Sequence, residues 1–224
     1  PIYRSMNYTL IISCLFLILI IGISHGSLDN IKGEKLFKFL GYNSKYLFYL
    51  CYIIISLLII LSWLIFPNMV LLIFLIVASY HFGNEDTVFK LKRSFPFNEI
   101  LFFFKGSSVI IAPLLFQRDS TNEIFATLNF YVFESLFFND FVLIIFLILS
   151  FFSSIYLAKD KSTDFKNIMI LDYFSVIILN LFLTPVLAFT VYFCFLHSIR
   201  HSFGLINELD KSFKKGFKKF ILKA

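Results

Sequence analysis

The chain has 224 residues, of which 59% are hydrophobic and 15% charged, with a net charge of +6 at pH 7, and its mean hydropathy is +0.85. Apolar runs recur along most of the length, which excludes a soluble globular domain and points to one integral-membrane domain over residues 1–210 with a basic tail over 211–224. The positive charge does not mark a nucleic-acid binder, because the lysines sit in short loops between apolar runs, where membrane proteins hold them on the cytoplasmic side.

A crossing helix needs about 20 mostly apolar residues to traverse ~30 Å of hydrocarbon. The first candidate is Met6–Ile23. It is read as a retained span rather than a cleaved signal, because the run is long and the residues after it, His25 to Asp29, look functional. Tyr46–Phe66 and Asn68–Phe82 follow, joined at Pro67, which starts a helix at no cost in hydrogen bonding. Phe97–Phe116 is the fourth. Phe125–Phe138 is apolar but short and contains Asn129 and Glu134, which fits a re-entrant or interfacial helix better than a span. Asp140–Ala158, Ile168–Leu183 and Pro185–Phe203 complete the set, the last two forming a tight hairpin at Thr184. The tail mixes Lys211, Lys214, Lys215, Lys218, Lys219 and Lys223 with Phe213, Phe217, Phe220, Ile221 and Leu222, a basic amphipathic segment suited to an anionic lipid surface or to solvent. Cys14, Cys51 and Cys194 all lie in apolar runs and make no disulfide framework. The expected fold is all-α, a polytopic membrane helical bundle of about seven transmembrane helices plus a short re-entrant or interfacial helix.

Charge tests this division. Lys32, Lys35, Lys38 and Lys45 follow the first span; Lys90, Lys92 and Arg93 follow the third; Lys159, Lys161 and Lys166 follow the fifth; Arg200 and the six tail lysines end the seventh. Seven spans place these 17 of the 20 basic residues on one side, with Arg4 and Arg118 opposite and Lys105 inside a span. The expected orientation is a multi-pass protein of the cell membrane with its N-terminus outside and its C-terminus cytoplasmic.

The chain has four histidines. The same topology brings His25, His81, His197 and His201 to the cytoplasmic face. At the helical rise per residue, His197 lies ~18 Å, His81 ~20 Å and His25 ~27 Å along their spans, one layer within the uncertainty of tilt and helix ends. His197 and His201 are four residues apart and share a helical face, the spacing by which helical metal sites supply two ligands. A single interfacial histidine is commonly a polar anchor, but four at one level point to one metal site. Four neutral imidazoles suit Fe, Zn, Cu or Ni. Asp29, four residues after His25, and Glu85 and Asp86, close after His81, are candidates to accept the other ring N–H of a ligand, or are acids in interfacial water. Arg200 points off the His197/His201 face and reads either as a positive-inside anchor or, with Asp29, Glu85 and Asp86, as a group supporting the ligands.

His25-Gly26-x-x-Asp29, His81-Phe82-Gly83-x-x-Asp86 and His197-Ser198-x-Arg200-His201 together resemble the motifs of the Brp/Blh family of bacterial and archaeal β-carotene cleaving dioxygenases. The resemblance runs nearly end to end. It implies central cleavage of β-carotene by O2 into two molecules of retinal, on non-haem Fe(2+) held by His25, His81, His197 and His201, with retinal passed to a microbial rhodopsin. Asp29, Asp86 and Arg200 match positions of those motifs. A lipid-soluble polyene fits an apolar pocket open to the bilayer, although Trp63, Phe102, Phe103, Phe104 and Tyr131 read as packing or lipid-facing aromatics rather than as its lining. Lys105 either snorkels inward or lines the site.

Rival classes are distinguishable. A retinal-binding rhodopsin needs a lysine within its last helix, and Pro185–Phe203 contains none. A membrane di-iron desaturase needs about twice as many histidines. A haem- or metal-binding electron-transfer protein predicts a Soret band without carotenoid turnover. A histidine-lined transporter would tolerate metal removal.

Overall fold

A computed structural model of the chain describes residues 8–26, 29–42, 44–88, 96–130 and 139–223. Every regular element among them is helical: α1 (Tyr8–Gly26), α2 (Asp29–Phe39), α3 (Lys45–Ile65), α4 (Pro67–Val88), α5 (Pro96–Phe116), α6 (Arg118–Thr127), α7 (Asp140–Leu157), α8 (Thr163–Phe182), α9 (Pro185–Val191), a π-helical segment (Tyr192–Ser198), α10 (Ile199–Leu209) and α11 (Phe213–Lys223). Among the described residues, five helices are long and apolar enough to cross a membrane: α3, α4, α5, α7 and α8. In α1 the apolar stretch is shorter, Tyr8–Gly22. The helix from Pro185 runs on to Leu209 but is divided by its π-helical segment. Five of the seven expected spans are thus met by length and composition. The outward surface agrees with a membrane protein. On α3, Ile53, Leu57, Leu58, Ile59, Ile60 and Leu61 are all exposed, an apolar area that water does not tolerate and hydrocarbon does.

Helix ends differ from the hydropathy reading where polar residues cap them. The Ser162 side chain accepts from the Phe165 amide, so α8 starts at Thr163 rather than Ile168, with Asp164 and Lys166 in its first turns. Asn139 caps α7 by accepting from the Val142 amide at 2.8 Å. The long connection after the first span contains α2. Past Phe82, α4 continues to Val88, so Glu85 and Asp86 are helical. The apolar segment Phe125–Phe138 is not one helix. Its first residues end the polar α6, Asn129 turns the chain at φ 58°, and Phe130 is buried with Leu71, Leu75 and Phe125. Residues 131–138 lie outside the described residues.

The core is built where α4, α5 and α7 meet. Gly83 of α4 and Gly106 of α5 bring the two backbones together. A Cβ on Gly83 would lie 1.8 Å from the Phe102 carbonyl oxygen, and one on Gly106 would lie 2.0 Å from that of Ser79. The Tyr80 hydroxyl donates to Glu99 beside this crossing. From α7, Ser150 Oγ donates to the Lys105 carbonyl of α5 at 2.9 Å. Around this contact, Ala112, Leu114, Leu143, Val176 and Tyr192 form the largest buried apolar cluster. Helix α1 lies against the last helix, with Gly22 beside the Phe193 ring. Helix α11 folds back on α10, burying Phe220 against Leu205 and Ile206, and Gly216 admits the Ile206 carbonyl at a distance no side chain would allow.

Candidate functional site

The end of α4 and the last helix carry the described histidines. His81 and Asp86 lie either side of the Gly83 crossing, so the close approach of α4 and α5 sets where both project. On the last helix, the π-helical segment widens the backbone at His197; such bulges recur at functional sites.

His197 is fully buried. Its Nδ1–H donates to Asp86 Oδ1 at 2.8 Å, and the other oxygen of that carboxylate accepts from the Tyr192 hydroxyl at 2.6 Å. The ring is walled by aromatics: Phe82 edge-on at 4.9 Å, with Tyr192 at 6.1 Å and Phe193 at 5.9 Å on inclined faces. One turn on, His201 Nδ1–H donates to Glu85 Oε2 at 2.9 Å. His81 meets His197 edge to face, with ring centroids 5.4 Å apart.

With Nδ1 committed to a carboxylate in both His197 and His201, Nε2 is the nitrogen that presents a lone pair. This is the arrangement metal-binding histidines use, in which the acid fixes tautomer and ring orientation and raises the basicity of the ligand. The acids serve across the helix interface rather than along their own helix. Asp86 and Glu85, close after His81 in the chain, accept from His197 and His201 of the last helix.

Of the expected site, His81, His197, His201, Glu85 and Asp86 come together. His25 lies near the end of α1, whose Gly22 is beside Phe193, and Asp29 opens α2; the side chains of His25 and Asp29 lie outside the described residues. Among the described residues, no three His, Cys, Asp or Glu side chains are grouped closely enough to hold a metal by themselves.

Arg200 is not a surface anchor. Its guanidinium grips Asp172 of α8 with two hydrogen bonds, at 2.6 and 2.7 Å. Asp172 and Tyr192 are residues that the sequence reading missed. An aspartate inside the apolar run Ile168–Leu183 was itself a signal, since ionisable groups within spans are costly. Tyr192 had no such mark among 11 tyrosines. Behind Asp86 lies a small cavity of about 20 Å³, lined among others by Lys105, Asp172 and Tyr192.

The family model for beta-carotene 15,15'-dioxygenase matches residues 16–224. The chain belongs to this family. A relative from uncultured marine bacterium 66A03, described as a beta-carotene 15,15'-dioxygenase, is 27% identical over 195 residues, covering 84% of this chain and 66% of the relative. The chain therefore spans just under two thirds of the length of that relative. No solved structure matches it. The His81, Glu85–Asp86 and His197–His201 groups all fall inside the part matched by the beta-carotene 15,15'-dioxygenase family.

Proposed function

We propose that this chain is a membrane-embedded non-haem iron dioxygenase that cleaves β-carotene at its central double bond, giving two molecules of all-trans-retinal. The observation that carries this reading is the pair of carboxylate-backed histidines, His197–Asp86 and His201–Glu85, facing His81 in a chain of the β-carotene dioxygenase family. The donor set suits iron. Three described imidazoles, joined by His25 at the end of α1, would supply neutral nitrogen ligands, and two anionic carboxylates behind them would offset the charge of the metal. When bound, Fe(2+) supplies the activation of O2 that side chains alone do not.

The remaining work belongs to the protein. Asp86 and Glu85 hold the two rings in register. Phe82, Tyr192 and Phe193 immobilise His197 and exclude water from it. One C=C bond and one O2 become two carbonyl groups with no net proton transfer, so no general base is required. The overall arrangement is seven crossings, with the lysine-rich connections, the C-terminus and the metal centre toward the cytoplasmic face of the cell membrane. The apolar exterior lets the polyene enter from the bilayer, and the retinal would be consumed by a microbial rhodopsin.

The test is expression in β-carotene-accumulating cells. Loss of orange colour with appearance of retinal is expected. Unchanged carotene beside well-folded protein overturns the substrate assignment.

A further inference from the structure

Lys105 has no part in the site as described so far, yet its setting is specific. It sits mid-way along α5 and is 7% exposed. Its carbonyl accepts from Ser150 Oγ at 2.9 Å and from Ser108 Oγ at 3.0 Å, which anchors its backbone between α5 and α7. It lines the small cavity behind Asp86 together with Asp172 and Tyr192.

An ammonium within a span persists only beside opposite charge. Two carboxylates line the same cavity. Both oxygens of Asp172 are taken by the Arg200 fork, a geometry that an ammonium cannot copy. Asp86 faces His197 and Tyr192, and neither group carries the full positive charge its carboxylate calls for when the imidazole is neutral. Two anions and two cations thus balance in pairs: Arg200 with Asp172, and Lys105 with Asp86. The cavity between them has room for about one water, so the ammonium and the carboxylate interact across that space rather than in direct contact.

We propose that Lys105 is a positioning residue for His197, acting through Asp86: it anchors the carboxylate in the orientation that receives the His197 Nδ1–H and so aims Nε2 at the metal. This rests on the metal-centre reading above. It also accounts for a lysine inside a span, where a mere anchor would lie at the interface.

The experiment uses the full chain in lipid nanodiscs, with Co2+ as a spectroscopic stand-in for iron. Lys105→Met is expected to weaken Co2+ binding by about 10- to 100-fold, the range seen when a partner behind a ligand is lost. In metal-free protein, the ring 15N signals of His197 should shift away from the carboxylate-bound form. Asp86→Asn should give the same loss, and Lys105→Met in the Asp86→Asn background should add nothing to it. If the two losses multiply, or if Lys105→Met binds Co2+ as wild type does, the assignment is overturned. Should Lys105→Met fail to fold, Lys105→Gln, which keeps a polar group in the cavity but not the charge, carries the same comparison; wild-type affinity in that variant overturns it. A wild-type protein that takes up no Co2+ overturns the metal reading and this assignment together, whereas normal wild-type uptake with an indifferent Lys105→Met overturns the lysine alone.

Discussion

Gly83→Ala probes the contact on which the site is mounted. The new Cβ would meet the Phe102 carbonyl oxygen at 1.8 Å and the Gly106 nitrogen at 2.8 Å, where ordinary contact begins at 3.4 Å. Helices α4 and α5 would have to part by about 1.6 Å along the first line, the difference between those distances. Two effects oppose each other. Alanine gains about 1 kcal/mol of helix propensity over glycine. Overpacking costs about 1–3 kcal/mol or more, and here both colliding atoms belong to or hang directly from the backbone, so no rotamer change relieves the clash. With no rotamer relief the upper end applies, and the net expectation is a loss of about 2 kcal/mol or more, seen as a lower Tm in detergent micelles. Turnover should suffer more. The Asp86–His197 and Glu85–His201 hydrogen bonds, at 2.8 and 2.9 Å, do not survive a lengthening of an ångström, and misplacement on that scale costs about 100-fold in rate. Gly22→Ala is the control, because its Cβ would lie 3.9 Å from the nearest Phe193 atom; it should behave as wild type in both assays. If Gly83→Ala keeps the wild-type Tm and retinal yield, the backbone crossing is not as described here.

Glu85→Gln removes the charge behind His201 but keeps its shape; about 10-fold or greater loss of metal affinity is expected by titration, and unchanged affinity would show that Glu85 does not serve the site. Arg200→Ala strands Asp172 and should cost about 3–5 kcal/mol in unfolding measurements, whereas Arg200→Met with Asp172→Leu should recover most of that loss; equal losses would mean that the pair does not form. At the surface, Asp210 accepts from the Lys219 ammonium at 2.7 Å, and this holds its carboxyl below the usual value of 3.8. A lowered value in the folded state means that the contribution is full above the ordinary carboxylate range and is lost as pH falls through the lowered value. Asp210→Asn at neutral pH should therefore reproduce the acid form, with faster tryptic cleavage within α11; wild-type cleavage rates would assign the docking of α11 to Phe220 alone.

How much of this was legible in the sequence depends on the kind of signal. Apolar runs of crossing length marked α3, α5 and α7 closely, because in each the apolar run and the helix share nearly the same ends. They misplaced the starts of α8 and the end of α4, because Asp164, Lys166, Glu85 and Asp86 are polar yet helical, and hydropathy cannot see a helix continuing into polar surroundings. The same blindness hid α2 and α6. His81, His197 and His201 were singled out by rarity and by shared depth, and the acids beside His81 by proximity. Their true partners were not legible, since the pairing of Asp86 with His197 and Glu85 with His201 is set by how α4 meets the last helix. Arg200 was misjudged for the same reason: its partner, Asp172, lies on another helix, 28 residues away in the chain.

The π-helical segment Tyr192–Ser198 has a consequence for how this helix can vary. Each residue of an α-helix advances the azimuth by about 100°, and a π turn accommodates one surplus residue, so the phase of α9 is uncoupled from that of α10. The upstream half can take its rotation from α1, through Phe193 beside Gly22, while the downstream half takes its own from Glu85 and Asp172. Deleting a single residue from Tyr192–Cys194 would remove that surplus and let the turn relax to α with His201 and Arg200 close to their present azimuth, whereas deleting one from regular α-helix swings everything beyond it by roughly 100°. The segment is the phase adjuster of the site, the one stretch of the last helix whose length can change by a residue with His201 still turned toward Glu85.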